Sequence, residues 1–205
     1  LNQFNDLKVE YVFKNSKLDN KSAFKVLYIG SIRFANNIGF LVEAASYLKK
    51  YKEIEFHIYG DGEEREQLEK LCFEKKNDNV YFGDRWINPN FVPNILTKSS
   101  LNILNYKPNK IWQYGGSQTK LFQYIASGKP ILSNIDMGHC IISKKNLGTS
   151  RTFQSAKEYA DEILSIYKLD KKEYDQICKN VLKESTNYDY SMLTKKLIKI
   201  LKKLQ

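Results

Sequence analysis

The sequence predicts an α/β fold: a parallel sheet of about six strands flanked by helices, with a helical carboxyl-terminal segment. Short apolar runs alternate with helical patterns across most of the chain. Most of the apolar runs end beside a turn residue and are followed by a helical pattern, as expected where parallel strands are joined by crossover helices. The end of the chain carries helical spacing alone. With 205 residues and 42% hydrophobic content, the chain is large enough for one sizeable core.

The predicted strands are short, mostly apolar runs. The first is Val26-Leu27-Tyr28-Ile29-Gly30. Continuous apolar runs are typical of strands buried on both faces, so we expect helices on each side of the sheet. The strands are placed at residues 26–30, 54–60, 80–83, 101–104, 131–132 and 147–149.

Apolar residues at helical spacing fill the intervals between the strands. The helix after Gly116 has the clearest limits, because Ser117 can cap it and Gly128 can end it. Lys120 lies in its first turn. The other helices are predicted around residues 40–48, 68–72, 91–98, 159–169, 174–182 and 190–204.

The chain divides into three segments. Residues 1–24 are polar and weakly patterned, and we expect a linker with one short strand at residues 9–13. Residues 25–189 form the α/β domain. Residues 190–205 form an amphipathic helix, with leucines along one side and lysines on much of the rest. The leucines are Leu193, Leu197, Leu201 and Leu204.

The net charge of +10 comes mostly from lysine, since the only arginines are Arg33, Arg65, Arg85 and Arg151. Proteins that read nucleic acids favour arginine for bidentate contacts, so no nucleic-acid partner is expected. A basic surface equally suits nucleoside diphosphates or anionic lipid headgroups.

Three widely spaced cysteines without a CxxC pair predict neither a disulfide framework nor a zinc site. No apolar run reaches the roughly 20 residues of a membrane span. We therefore expect a cytoplasmic protein, peripheral at the inner face of the membrane where it meets lipid.

A ligand site is expected where parallel strands end, because ligands bind outside the carboxyl ends of such a sheet. Glycine occurs at three of these ends, in Gly30-Ser31, Gly60-Asp61-Gly62 and Gly83-Asp84. A longer loop, residues 106–116, leads into the Ser117 helix. A lysine in the first helical turn opposes the helix dipole, so Lys120 favours a nearby anion.

Several nucleotide and hydrolase motifs are missing from the sequence: GxGxxG, GxxxxGK[ST] and GxSxG. His57 is expected within the sheet. His139 follows a strand end, and contact with a substrate is left open for it.

Residues 114–130, YGGSQTKLFQYIASGKP, resemble the donor-site signature of family-4 glycosyltransferases, and most of all those that build bacterial surface polysaccharides. Further blocks are similar in the same order: YIGSI with ANNI at residues 28–38, IYGDGE at 58–63 and NVYFG at 79–83. The resemblance covers about residues 25–190. It implies a Rossmann-like domain, the donor-binding half of the two-domain GT-B fold.

The resemblance implies an enzyme that transfers a sugar from a nucleoside-diphosphate sugar to a glycan or lipid-linked acceptor, with retention. The implied partners are that nucleotide-sugar donor and an amino-terminal acceptor domain, with an anionic membrane surface as a further partner. Acceptor-side catalytic residues would lie in the other half, so none is assigned here.

The resemblance assigns roles around the donor. Ser117, Gln118, Thr119 and Lys120 correspond to the diphosphate-binding helix start, and Gln123 stands where an acidic residue usually binds the ribose. The remaining positions follow the first three strands. Ser31 stands where an arginine commonly contacts the phosphates, which leaves Arg33 as a displaced candidate, and Gly30 and Gly62 are further donor-binding positions. Asp84 and Arg85, with Trp86, correspond to positions that typically meet the base. The resemblance implies that no metal or cofactor is needed.

Two other functions stay open at this point. One is half of another GT-B enzyme, such as a sugar epimerase. The other is a non-catalytic basic module for anionic lipid or nucleic acid, which the +10 charge would suit.

Overall fold

The computed structural model describes residues 1–116 and 118–203. All described strands are parallel and form one six-stranded sheet in the order β3-β2-β1-β4-β5-β6. They are β1 (Phe24–Ile29), β2 (Ile54–Tyr59), β3 (Val80–Phe82), β4 (Leu101–Leu104), β5 (Ile131–Ser133) and β6 (Gly148–Ser150). The fold class and the six strands predicted from the sequence are confirmed.

The helices cover both faces of this sheet. They are α1 (Asn2–Glu10), α2 (Ile38–Tyr47), α3 (Arg65–Glu74), α4 (Val92–Thr97), α5 (Thr119–Ser127), α6 (Ile141–Lys144), α7 (Ala156–Tyr167), α8 (Lys171–Ser185) and α9 (Tyr190–Leu201). The three carboxyl-terminal helices are confirmed, whereas α1 and the four-residue α6 were not predicted.

Successive residues of each central strand enter two separate cores. Val26 and Tyr28 of β1 pack into the core that α2, α3 and α7 cover. Leu27 and Ile29 pack into the opposite core, under α1, α4, α5, α6 and α8. Because both of its faces are apolar and buried, residues 26–29 of β1 read as a continuous apolar run in the sequence.

The strand order reverses direction between β1 and β4, which are neighbours in the sheet. At such a point the loops that leave the two strands run to opposite faces and open a crevice at the carboxyl edge. The loop after β1 and the start of α5 meet at this edge, since Lys120 reaches Gly30 and Tyr28.

The predicted strand at residues 9–13 is wrong. Residues 2–10 are helical, and Val9 is 71% exposed. Helix α1 packs on α4 through buried Phe4, and Asn94 Nδ2 donates to the carbonyl of Lys8. A few β-favouring residues do not set the conformation of this segment, because tertiary packing on α4 decides it. The role of residues 1–24 as a linker stays a prediction.

Helix α9 exposes its whole apolar side. None of its residues is buried, and Leu197 is 56% exposed. Leu204, the last leucine of the predicted row, lies outside the described residues. In the described part of the chain, no helix is long and apolar enough to cross a membrane.

Candidate functional site

A cleft of about 350 Å³ lies at the carboxyl edge of the sheet. It is bounded by the loops after β1, β2 and β3, by the start of α4 and by one side of α5. Among its lining residues are Gly30, Ser31, Asp61, Arg85, Trp86, Ile87, Lys120 and Gln123.

Glycine allows the loops around this cleft to touch. Gly60 has φ +118°, and a Cβ there would lie 2.0 Å from the carbonyl oxygen of Gly30. Gly30 has φ +147°, and a Cβ there would lie 2.4 Å from Cε of Lys120. Both backbone conformations favour glycine. The glycine pattern therefore brings the first two loops and the lysine of α5 together.

Lys120 is the partly buried cation of the cleft. Its Nζ donates to the hydroxyl of Tyr28 at 2.9 Å and lies 4.6 Å from the centre of that ring. Burial lowers the pKa of Lys120 to about 8. Within the described residues, no carboxylate lies within salt-bridge distance of Lys120. A cation that burial disfavours gains free energy from an anion placed beside it.

Tyr28 positions this lysine and the first loop together. Its hydroxyl donates to the carbonyl of Ser31 at 2.6 Å, and burial raises its pKa. Asn36 Nδ2 donates to the same carbonyl at 2.7 Å and to Ser31 Oγ at 2.9 Å. Hydrogen bonds from Tyr28 and Asn36 thus hold the loop after β1 from two sides.

Arg65 ties the second and third loops together. It is 4% exposed, and its guanidinium donates to the carbonyls of Gly60 and Gly83, the latter at 2.7 Å. Its Nε donates to Glu69 at 2.7 Å. Sequence reasoning missed this residue. Its signal is a lone arginine at the start of the helix that follows the Gly60-Asp61-Gly62 turn.

Arg85 lines the cleft but is surrounded by carboxylates. Its guanidinium donates to Asp61 at 2.9 Å and lies 3.8 Å from Glu66 and 3.7 Å from Glu69. These three acids offset its charge. Lys120 is therefore the stronger anion anchor of the two.

The structure brings together five of the predicted site residues, namely Gly30, Ser31, Arg85, Lys120 and Gln123. The other predicted residues lie around this group. Arg33 and Thr119 are exposed outside the cleft lining, Gln118 precedes α5, and Gly62 packs against the backbone of Ile32. Ser117, the predicted helix cap, lies outside the described residues.

A second depression of about 390 Å³ adjoins the cleft and shares Trp86 and Ile87 with it. Asp84, Phe13 and Phe91 also line it. Trp86 is 76% exposed between the two spaces, so its ring is available to stack on a flat ligand. Together the two spaces suit an elongated ligand with an anionic centre and a flat group.

The two histidines lie away from this cleft lining. His57 is buried in β2, where its Nε2 lies 3.0 Å from Glu55 Oε2, and burial lowers its pKa. His139 is exposed in the loop after β5. Among residues 1–116 and 118–203, no group of three or more His, Cys, Asp or Glu side chains is placed to hold a metal ion.

A family model described as Glycosyl transferases group 1 matches residues 23–168. This range includes every described residue of the cleft. A search of curated proteins finds no match.

Solved structures share the fold. TarM of S. aureus, in complex with fondaparinux, alpha-GlcNAc-glycerol and UDP, has 20% identity and a TM-score of 0.66, with 91% of this chain and 37% of that chain covered. HepE of Anabaena, in complex with UDP and glucose, has 14% identity and a TM-score of 0.69, with 98% and 52% covered.

The carboxyl-terminal domain of the group 1 glycosyltransferase LpcC from Francisella tularensis has 19% identity and a TM-score of 0.69, with 90% of this chain and 98% of that domain covered. The present chain therefore spans a little over a third of the length of TarM, but nearly all of the isolated LpcC domain.

Proposed function

Since the chain belongs to the family Glycosyl transferases group 1, we propose that it is the donor-binding half of an enzyme that transfers a sugar from a nucleoside-diphosphate sugar. The acceptor is a glycan or a lipid-linked glycan of a surface polysaccharide, and transfer proceeds with retention. An amino-terminal domain supplies the acceptor side. The similarity to TarM and HepE, which were solved with UDP, supports a nucleotide site on this fold.

One observation carries the proposal: Lys120 is a partly buried cation whose pKa burial lowers, at the start of a helix that faces the cleft. A diphosphate supplies the anionic partner that Lys120 does not have among the described residues. Backbone N–H groups at the start of a helix, together with its dipole, add to the attraction. The exposed ring of Trp86 gives the base a stacking surface.

The binding test is calorimetry with UDP, GDP and uridine. We expect UDP or GDP to bind. Lys120→Met should lower the affinity for that diphosphate by roughly tenfold or more, because a charge-assisted contact is lost. Uridine affinity should change little, because the nucleoside carries no phosphate. Exposed Lys172 on α8 provides the control, as Lys172→Met also removes one positive charge.

Failure of both diphosphates to bind at millimolar concentration would overturn the donor site. Equal weakening of UDP and uridine in Lys120→Met would overturn the phosphate role of the lysine. We further propose that Lys120 and the start of α5, not a metal, offset the diphosphate charge. Loss of UDP affinity in EDTA would contradict that part.

We also propose that α9 rests on an anionic membrane surface. Leu193, Leu197 and Leu201 are 40–56% exposed, and the helix carries lysines and no acidic residue. Such a helix suits an interface of negative lipid. The chain should sediment with vesicles containing phosphatidylglycerol, and Leu197→Asp should abolish this. Binding that disappears by about 0.3 M salt would indicate unspecific charge attraction and contradict the proposal.

A further inference from the structure

The charges of the cleft bear on how it recognises the sugar ring of a nucleotide. Of the described residues that line it, only Asp61 carries a carboxylate. Asp61 is committed to Arg85 through a 2.9 Å ion pair. Asp84 lines the adjoining depression instead. The described lining therefore offers no unpaired carboxylate to a ligand.

Gln123 is the polar side chain of the lining next to Lys120 on α5. The two are three residues apart on a helix, so their Cβ atoms are about 5–6 Å apart on the same face. Both residues line the cleft. In a nucleoside diphosphate the ribose is the group bonded directly to the phosphates. If the diphosphate contacts Lys120, the ribose is in position to meet Gln123.

Rossmann-type sites hold a ribose with an Asp or Glu that binds the 2′-hydroxyl. A carboxylate accepts hydrogen bonds only, and its charge strengthens them. The amide of Gln123 is neutral, with one carbonyl acceptor and one NH₂ donor group, so it can hold a 3′-hydroxyl as donor or acceptor and its bonds to the ribose carry no charge assistance. Loss of the 2′-hydroxyl then removes at most one neutral hydrogen bond.

We propose that Gln123 makes this site indifferent to the 2′-hydroxyl, so that its donors include 2′-deoxynucleoside-diphosphate sugars. The inference rests on the proposed function, because it needs a nucleoside diphosphate in the cleft. It goes beyond that function because it adds nucleotides with deoxyribose to those that the site accepts and attributes their acceptance to the Gln123 side chain.

The test compares UDP with 2′-deoxy-UDP, two ligands that differ only in the 2′-hydroxyl. We expect their dissociation constants to agree within about threefold, the effect of a weak neutral hydrogen bond. A loss of tenfold or more for 2′-deoxy-UDP would overturn the inference while leaving the donor site intact. Failure of UDP and 2′-deoxy-UDP to bind moves the comparison to GDP and 2′-deoxy-GDP, and failure of all four to bind would overturn the proposed function and this inference with it.

Gln123→Glu supplies the decisive variant. A carboxylate at this position should make the site prefer UDP over 2′-deoxy-UDP by about tenfold, as expected for a charge-assisted hydrogen bond. Exposed Gln176 on α8 gives the matched control, since Gln176→Glu adds the same charge away from the cleft. The readout is the ratio of the two affinities, so a general weakening by the added charge does not affect it. An unchanged ratio in Gln123→Glu would overturn the assignment to Gln123.

Discussion

Replacing Lys120 with methionine should stabilise the protein at neutral pH while impairing its cleft. Burial lowers the pKa of Lys120 from 10.5 to about 8. At about 1.4 kcal/mol per pKa unit, the charged form costs about 3 kcal/mol of folding free energy. Methionine also loses the hydrogen bond to Tyr28, which is worth about 1 kcal/mol. We expect a net gain of about 2 kcal/mol at pH 7.

The pH dependence identifies the cause of this gain. Between about pH 8 and pH 10.5, the folded protein has lost the Lys120 proton and the unfolded chain still holds it. The unfolded state then binds more protons, so the stability contributed by this group rises with pH. The advantage of Lys120→Met should therefore shrink as the pH increases from 7 to 10.

Urea denaturation of the wild type and Lys120→Met at several pH values measures both effects. Lys172→Met is the control, because Lys172 is exposed on α8. A Lys120→Met protein that is less stable than wild type at pH 7 would refute the burial argument. A difference that stays constant from pH 7 to pH 10 would do the same. The wild type should also lose diphosphate affinity above pH 8 as the lysine becomes neutral.

Two other substitutions probe the loops of the cleft. Arg65→Met leaves the carbonyls of Gly60 and Gly83 without their donor and should lower the free energy of unfolding, measured by thermal denaturation, by about 2–4 kcal/mol. The control Arg33→Met, at an exposed arginine, should change it by less than about 0.5 kcal/mol. Equal effects would show that Arg65 does not hold the loops. Gly30→Ala forces a strained φ on alanine and places its Cβ against Lys120. UDP should therefore bind more weakly, and the free energy of unfolding should fall by about 1 kcal/mol or more. Unchanged UDP affinity would contradict the close packing of this loop on the lysine.

The sheet could be predicted because its signals are local. Each strand is a short, mostly apolar run next to turn residues, because burial on both faces favours apolar side chains along its length. The signal for the end of α5 was also local, since Gly128 takes the left-handed φ of +72° that ends a helix. Helix α1 could not be read in this way. Its conformation depends on contact with α4, where the bonded residues are 86 positions apart in the chain.

The candidate site was predictable only in part, for the same reason. Lys120 carries a local signal, a lysine where the helix dipole disfavours one. The role of Arg65 depends instead on two carbonyls that different loops place on either side of its guanidinium. The ion pairs of Arg85 likewise appear only when α3 packs beside the loop after β3. No pattern in the sequence encodes these distances.

Arg85 and Lys120, the two cations that line the cleft, differ in the neighbours that offset their charge. Arg85 already has the carboxylates that offset its charge, so an incoming anion must compete with them. Lys120 has a hydroxyl and an aromatic ring as neighbours, and its protonated form costs free energy until an anion arrives. Under the proposed function, the attraction for a diphosphate is therefore concentrated at the start of α5. A carboxylate in place of the Gln123 amide would partly cancel that attraction, whereas the neutral amide leaves the positive charge of Lys120 without an opposing charge on the same side of the helix.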